Sequence, residues 1–199
     1  MNKIPDPATL VGRLERAGLT IDVQEIGAPV SKDNRDFIAL LGLTPAPPVI
    51  DKIYKKFDRF SLAWHGRCQG YDLQGAINII AFDLSLARAP TDDKNEPLEG
   101  ILWTYDTPDK ARSELQRMTI FETVQGRSQF ITYINEDKVP RMFLVDRDYI
   151  RPLATDFIET LQALLDHAGA EGMREYLTHP DWKERLESDE RIKAIRALP

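Results

Sequence analysis

Residues 61–80 read SLAWHGRCQGYDLQGAINII, and the apolar side chains change their period as the chain enters this stretch. Before it they recur with the spacing of a helix, whereas within it they alternate with polar residues, as in a strand with one buried face. Glycines at positions 66, 70 and 75 interrupt the alternation. The stretch therefore predicts two strands flanking a glycine-bearing loop from His65 to Gly75, and it raises the question of what Trp64, His65 and Cys68 do there.

The segment just before this stretch predicts a helix that begins near Pro48. Proline suits the first turn of a helix, where its missing N–H costs nothing. An apolar stripe with helical spacing follows it, made of Val49, Ile50, Ile53, Tyr54 and Phe57.

Further toward the N-terminus, two more helices and a strand are expected. DPATLVGRLERAG carries an apolar face ending at Gly18, LTIDVQEI alternates like a strand, and SKDNRDFIALLG has Ser31 as a cap and Gly42 as a stop.

After the quoted stretch, the chain contains a polar loop at residues 88–100 and then more strands. ILWTY is a predicted strand, and Thr107 with Pro108 predicts the start of a helix. TIFETV, SQFITYI and RMFLVD are rich in β-branched and aromatic residues, which favours strands, and Asp146 and Asp148 then suggest a solvated turn.

The clearest helix lies in RPLATDFIETLQALLDHAG, where apolar residues from Phe157 to Ala168 form one face. Thr155 is the predicted cap, Asp156 and Glu159 favour the positive N-terminal end, and His167 falls in the last turn. Two or three short helices, broken near Pro180 and Ser188, complete the chain.

Helices at both ends with strands between them predict an α+β fold. We expect a single domain of 199 residues, in which a mixed or antiparallel sheet from the middle of the chain packs against helices from both ends. A net charge of −6 without a cationic cluster disfavours nucleic-acid binding. One cysteine, no apolar run of membrane-spanning length and no signal-like N-terminus favour the cytoplasm.

His65 and Cys68 resemble an active site only in composition. A nucleophilic cysteine needs a base within hydrogen-bond reach and a group that orients this base, and no such third group is evident. A zinc site needs three or four ligands, and His65, Cys68, His167 and His179 lack any metal-binding spacing. The expectation is therefore that there is no catalytic residue, metal or cofactor, and that Cys68 is a small side chain filling a turn.

Aromatic side chains near strand ends provide the one functional signal that remains. Aromatic residues carry many of the energetically important contacts in protein interfaces. The residues predicted to bind a partner are Trp64, His65, Arg67, Tyr71, Asp72, Trp103 and Tyr105.

Three segments resemble the SUKH superfamily, which includes fungal cell-wall regulators of the Smi/Knr type and bacterial toxin-immunity proteins. They are PPVIDKIYKKFDRFSLAWHG, LQGAINIIAFD and MFLVDRDYIRPLATDFIETLQALLDHAG. The resemblance covers a core of about residues 31–178, flanked by an N-terminal extension at 1–30 and a C-terminal helical extension at 179–199.

The resemblance implies a non-enzymatic immunity protein that binds and neutralises a cognate toxin domain in competition between bacteria. A chain that stays in the cytoplasm would face a nuclease, a deaminase or a toxin directed at nucleotides or NAD, in a one-to-one or dimeric complex. The alternative from the same resemblance is a scaffold or regulatory protein that binds endogenous partners. The remaining alternative is a hydrolase or transferase that uses His65 and Cys68.

Overall fold

The computed structural model of the protein describes residues 6–34, 48–81, 118–123, 129–134, 140–146 and 149–199. Its helices are α1 (Pro7–Arg16), α2 (Pro48–Tyr54), α3 (Phe157–Asp166), α4 (Met173–Tyr176), α5 (Trp182–Ser188) and α6 (Glu190–Arg196). Its strands are β1 (Thr20–Ile26), β2 (Phe60–Cys68), β3 (Tyr71–Ile79), β4 (Met118–Thr123), β5 (Phe130–Ile134), β6 (Arg141–Asp146) and β7 (Tyr149–Pro152).

The seven strands form one sheet in the order of the chain, and every neighbouring pair is antiparallel. Helices from both ends of the chain pack on one face, which we call the inner face. The predicted α+β class, with the sheet in the middle of the chain and helices at its ends, is confirmed.

Most of the core lies between the inner face and the helices. Leu14 of α1, Ile53 of α2 and Leu161 of α3 are fully buried there against Phe60 and Leu62 of β2. A second, smaller apolar cluster lies on the opposite face of strands β4 to β6, and its members are Ile80, Met118, Ile120, Phe130, Ile134, Phe143 and Val145.

The predicted loop between β2 and β3 is much shorter than expected. The two strands pair without interruption from Phe60↔Ile79 to Cys68↔Tyr71, and only Gln69 and Gly70 form the turn. Both turn residues have positive φ angles, 49° and 87°, which is the geometry that matches the twist of a tight hairpin. Residues 65–68 and 71–75 are therefore strand residues, and the prediction of a loop there is wrong.

Helix ends follow the sequence with one correction. Asp6 caps α1, and the side chain of Ser31 accepts a hydrogen bond from the backbone N–H of Asn34. Asp156 rather than Thr155 caps α3, in a reciprocal arrangement with Glu159. Thr155 is buried and bonds the hydroxyl of Thr160 instead.

Other predicted elements lie partly or wholly outside the described residues. These are most of the helix from 31 to 42, the loop at 88–100, the strand ILWTY and the helix that begins near Thr107. Strand β7 follows the predicted turn after Asp146 and was not predicted. Two or three short C-terminal helices were expected, with breaks near Pro180 and Ser188, and the structure has α4, α5 and α6 there.

Candidate functional site

A cleft of about 320 Å³ opens on the face of β2 and β3 that points away from the helices, which we call the outer face. Its floor and walls come from β1, β2 and β3, from Gln129 just before β5, and from residues 169–175 after α3. The lining residues are Asp22, Ala63, Trp64, His65, Gln74, Gly75, Ala76, Gln129, Gly169, Glu171, Gly172, Arg174 and Glu175.

Small side chains create the floor of the cleft. Ala63 and Ala76 lie opposite each other on β2 and β3, and His65 and Gln74 form the next outer-face pair. Paired residues on one face of an antiparallel ladder have neighbouring side chains, so two alanines side by side leave a depression between larger neighbours.

The chain that follows α3 builds one wall by pairing with β3 where β4 does not. Strands β3 and β4 share only the pair Ile79↔Glu122, and further along β3 its backbone bonds residues 169–171 instead. The N–H of Ala76 donates to the carbonyl oxygen of Gly169, and the N–H of Glu171 donates to the carbonyl oxygen of Gln74, both at 3.1 Å. The segment 169–171 therefore takes the place of a neighbouring strand along residues 74–76 of β3.

Glycine is required at position 169 for this close approach. Gly169 has a φ of 60°, and a Cβ atom there would lie 2.1 Å from the carbonyl oxygen of Ala76. Any larger residue would push the wall away from β3.

A buried ion pair holds α4 beneath the wall. Arg174 donates from Nε to a carboxylate oxygen of Glu122 at 3.0 Å and pairs with the other oxygen through Nη2. The same guanidinium also reaches the carbonyl oxygens of Ala76 at 2.7 Å and Gly169 at 3.4 Å. Arg174 thus bonds to β4 through Glu122, to β3 through Ala76 and to the wall through Gly169. We infer that it holds the wall in position between β3 and β4.

A β-bulge in β4 brings Glu122 to this position. The pairing with β5 shifts between Ile120 and Glu122, so Phe121 is the extra residue. In a regular strand, two successive side chains point to opposite faces of the sheet. Because of the bulge, Phe121 lies in the main core and Glu122 pairs with Ile131 of the same core, and both are buried.

A second bulge, in β1, brings Asp22 to the edge of the cleft. The pairing with β2 shifts between Ile21 and Val23, leaving Asp22 as the extra residue. Its Oδ2 lies 2.8 Å from Nδ1 of His65, and about half of each side chain is exposed. After the bulge, Val23 pairs with Ala63 and is exposed on the outer face.

The lining carries an excess of negative charge. Among the described lining residues, Asp22, Glu171 and Glu175 contribute three carboxylates, whereas the guanidinium of Arg174 is paired with Glu122. The carboxylate of Glu171 accepts a hydrogen bond from the side-chain amide of Gln74 at 2.6 Å. Glu175 also has Arg151 at 3.4 Å, in a pair exposed enough for water to screen it.

The predicted site residues divide among three environments. Trp64 is only 1% exposed, and its indole N–H donates to the carbonyl oxygen of Ala168 at 2.7 Å. We therefore place it beneath the cleft as support, not on the contact surface. His65 is exposed on the outer face, whereas Cys68 packs partly buried against the main core. His65 and Cys68 are three positions apart on one strand, and because side chains alternate between faces, theirs point to opposite faces of the sheet.

The tip of the hairpin is also divided between the two faces. Arg67 and Asp72 are a cross-strand pair in line with His65 and are exposed on the outer face. Tyr71 pairs with Cys68 on the inner side and is 39% exposed. The remaining predicted residues, Trp103 and Tyr105, lie outside the described residues.

The described lining can supply hydrogen bonds and negative charge, but it contains no hydroxyl or thiol side chain that could act as a nucleophile. Within the described ranges, no group of three or more His, Cys, Asp or Glu residues is placed to hold a metal ion. None of the helices described is long and apolar enough to cross a membrane.

Six polar lining residues escaped the sequence analysis: Asp22, Gln74, Gln129, Glu171, Arg174 and Glu175. The two Glu residues lie in a segment that reads as helical, so nothing local relates them to His65. The only sequence signal was indirect, since Gly169 and Gly172 flank Glu171 and mark an irregular connection at this point.

Comparison with protein-family models, with curated proteins and with solved structures finds no match to this chain.

Proposed function

We propose that this protein is a non-enzymatic binding protein that occupies a basic partner protein through the outer face of β1 to β3. The observation that supports this proposal is the acidic cleft at the centre of that face. The cleft is bordered by exposed polar side chains on a hairpin that is fixed to the core by Trp64. A rigid, concave, charged surface suits recognition of a partner with complementary charge.

We further propose that the partner is a toxin and that the chain is its immunity protein, as the resemblance to the SUKH superfamily implies. A toxin that acts on nucleic acids or nucleotides needs a positively charged groove to hold phosphates. A carboxylate-lined face can enter such a groove, accelerate association and exclude the substrate. Nuclease, deaminase and nucleotide- or NAD-directed toxins all belong to this class.

Co-expression tests this proposal. The toxin-like gene expected beside this one is expressed alone and together with the wild-type chain, and the growth of the host is measured. We expect the toxin to stop growth and this chain to restore it. The absence of a toxin-like neighbour, or a lack of rescue by a well-folded chain, would contradict the immunity role and favour a partner made by the cell itself.

Charge reversal in the cleft tests where the partner binds. The variant Asp22→Lys/Glu171→Lys should retain its fold, because both side chains are exposed, but should lose rescue and binding of the purified toxin. The matched control is Glu187→Lys/Glu190→Lys, which reverses the charge of two exposed carboxylates of α5 and α6 outside the cleft lining. Equal loss of binding in the control would point to net charge instead of the cleft.

A further inference from the structure

Strand β1 forms one end of the sheet and, among the described residues, pairs with β2 alone. Within the described ranges, no strand pairs with the backbone groups on its other edge. We propose that β1 is a strand-addition site that receives an extended, basic segment of the partner protein. This inference rests on the proposed function in one respect, namely that the partner is a protein.

Exposure of β1 supports this proposal. Six of its seven residues are exposed, and they include Val23 at 36% and Ile26 at 40%. These two are among only three large hydrophobic side chains that are exposed in the described part of the chain, and the third is Tyr71. Folded proteins rarely leave apolar side chains exposed on an open edge without a use for them, because such edges promote aggregation.

The two edges of the sheet differ in how well they are protected. At the other edge, β7 has only four residues and ends with Arg151 and Pro152, and proline cannot donate a backbone hydrogen bond. β1 contains neither lysine nor proline. A bulge at Asp22 and the charged side chains of Asp22 and Glu25 give it some protection, but Val23 to Ile26 form a regular edge.

Charge decides between the possible occupants. Asp22 and Glu25 are exposed along β1, where Glu25 pairs with Arg59 at 2.9 Å and Asp22 contacts His65 at 2.8 Å. A second copy of β1 would bring the same carboxylates toward each other, whereas lysine or arginine side chains on an added strand would face them favourably. The occupant is therefore a basic strand and not another copy of this chain.

The geometry also limits the length and pattern of the added strand. Four residues of regular edge correspond to roughly 14 Å of strand, since each residue advances about 3.4 Å. Glu25 lies on the outer side, where it pairs with Ser61, and Ile26 lies on the inner side, where it pairs with Phe60. A segment that alternates basic and apolar residues would place one type against each of them.

A synthetic peptide tests the proposal without knowledge of the natural partner. The probe is a capped seven-residue peptide of alternating lysine and valine, and the readouts are its affinity and amide hydrogen exchange in β1. We expect saturable binding that slows exchange in Val23–Ile26, and no binding of the matched peptide with glutamate in place of lysine. No binding, or binding that leaves the β1 amides unprotected, would overturn the proposal.

Two variants make the test specific. Ile26→Lys places a lysine on the edge and should weaken peptide binding by at least about tenfold. Ser188→Lys introduces the same lysine at an exposed residue of α5, away from β1 and from the cleft lining, and should have no effect. Equal affinity of Ile26→Lys and the wild type, or self-association of the wild type that protects β1, would refute the assignment.

Failure of this inference is distinguishable from failure of the immunity role. If Ile26→Lys rescues growth as well as the wild type and the peptide does not bind, the strand-addition site is wrong and the immunity role stands. If the peptide binds at β1 but the wild type does not rescue growth, the site stands and the immunity role fails.

Discussion

The indole N–H of Trp64 donates a hydrogen bond at 2.7 Å to the carbonyl oxygen of Ala168, a residue 104 positions later in the chain. This bond ties β2, which forms the floor of the cleft, to the segment that forms its wall. Both groups are buried, so neither can find a replacement partner in water. The shape of the outer face therefore depends on an aromatic side chain that does not itself reach the surface.

Replacing this tryptophan should destabilise the fold. Trp64→Phe leaves the Ala168 carbonyl unsatisfied and removes buried volume, and the expected cost is about 1–3 kcal/mol of unfolding free energy. Chemical denaturation measures it. Trp182→Phe is the control, because Trp182 is only partly buried and the same substitution there should cost less. Equal losses would mean that the hydrogen bond to Ala168 contributes little.

Breaking the ion pair beneath the cleft should have a larger effect. Arg174→Met leaves the Glu122 carboxylate buried without a countercharge, which typically costs about 3–5 kcal/mol. The double variant Glu122→Leu/Arg174→Met removes both charges and should recover much of the loss. Arg151→Met breaks an exposed pair with Glu175 and should cost no more than about 1 kcal/mol, as denaturation curves would show. A mild loss in Arg174→Met would contradict the assigned role of the pair.

Two glycine substitutions should change stability in opposite directions. A Cβ atom on Gly75 would lie 2.6 Å from both the indole nitrogen of Trp64 and the carbonyl oxygen of Ala168. Because of this overpacking, Gly75→Ala should lower the free energy of unfolding by about 1–3 kcal/mol. Gly12 lies within α1 and faces only the movable end of Arg16, so Gly12→Ala should stabilise by roughly 0.5–1 kcal/mol. Thermal unfolding of both variants checks the two signs, and a neutral Gly75→Ala would show that the wall can move.

Stability should fall in mild acid because of His167. This residue is buried at the end of α3, and its Nδ1 has no hydrogen-bond partner among the described residues. Burial lowers its pKa, and nearby Arg196 and Arg13 act in the same direction, although the adjacent Asp166 opposes them. The folded protein therefore keeps this imidazole neutral at a pH where the unfolded chain already binds a proton.

The expected loss begins as the pH falls below about 6.5, where an unfolded histidine titrates, and ends below the lowered pKa of the folded state. Its steepest slope is about 1.4 kcal/mol per pH unit for one proton. Denaturation at pH 7.5 and 5.5 should show a smaller difference for His167→Gln than for the wild type. Equal differences would assign the acid sensitivity to other groups.

Cysteine replacement tests the remaining enzymatic alternative. Cys68 points to the inner side and is separated by the sheet from His65, so Cys68→Ser should leave toxin binding and rescue of growth unchanged. Full function in this variant would remove the thiol from any mechanism. A complete loss of function in a folded Cys68→Ser protein would revive the nucleophile hypothesis.

Local patterns predicted the elements of the fold well. The apolar stripe from Val49 to Phe57, the helix after Asp156 and the alternation in β2 were all visible, because a helical or pleated period is a property of neighbouring residues. The extent of the hairpin was misjudged, since three glycines suggested a loop. Only Gly70 lies in the turn, whereas Gly66 and Gly75 accommodate Leu19 and Trp64.

Short-range patterns were enough to predict the α+β architecture, because periodicity and capping act over a few residues. The tertiary structure alone decided the site. A bulge of one residue turned Asp22 toward His65, and a second allowed Glu122 to meet Arg174, which lies 52 positions away. Neither bulge has a local signature, since each arises from the register between paired strands. Which side chains are exposed to a partner therefore depends on contacts between distant parts of the chain.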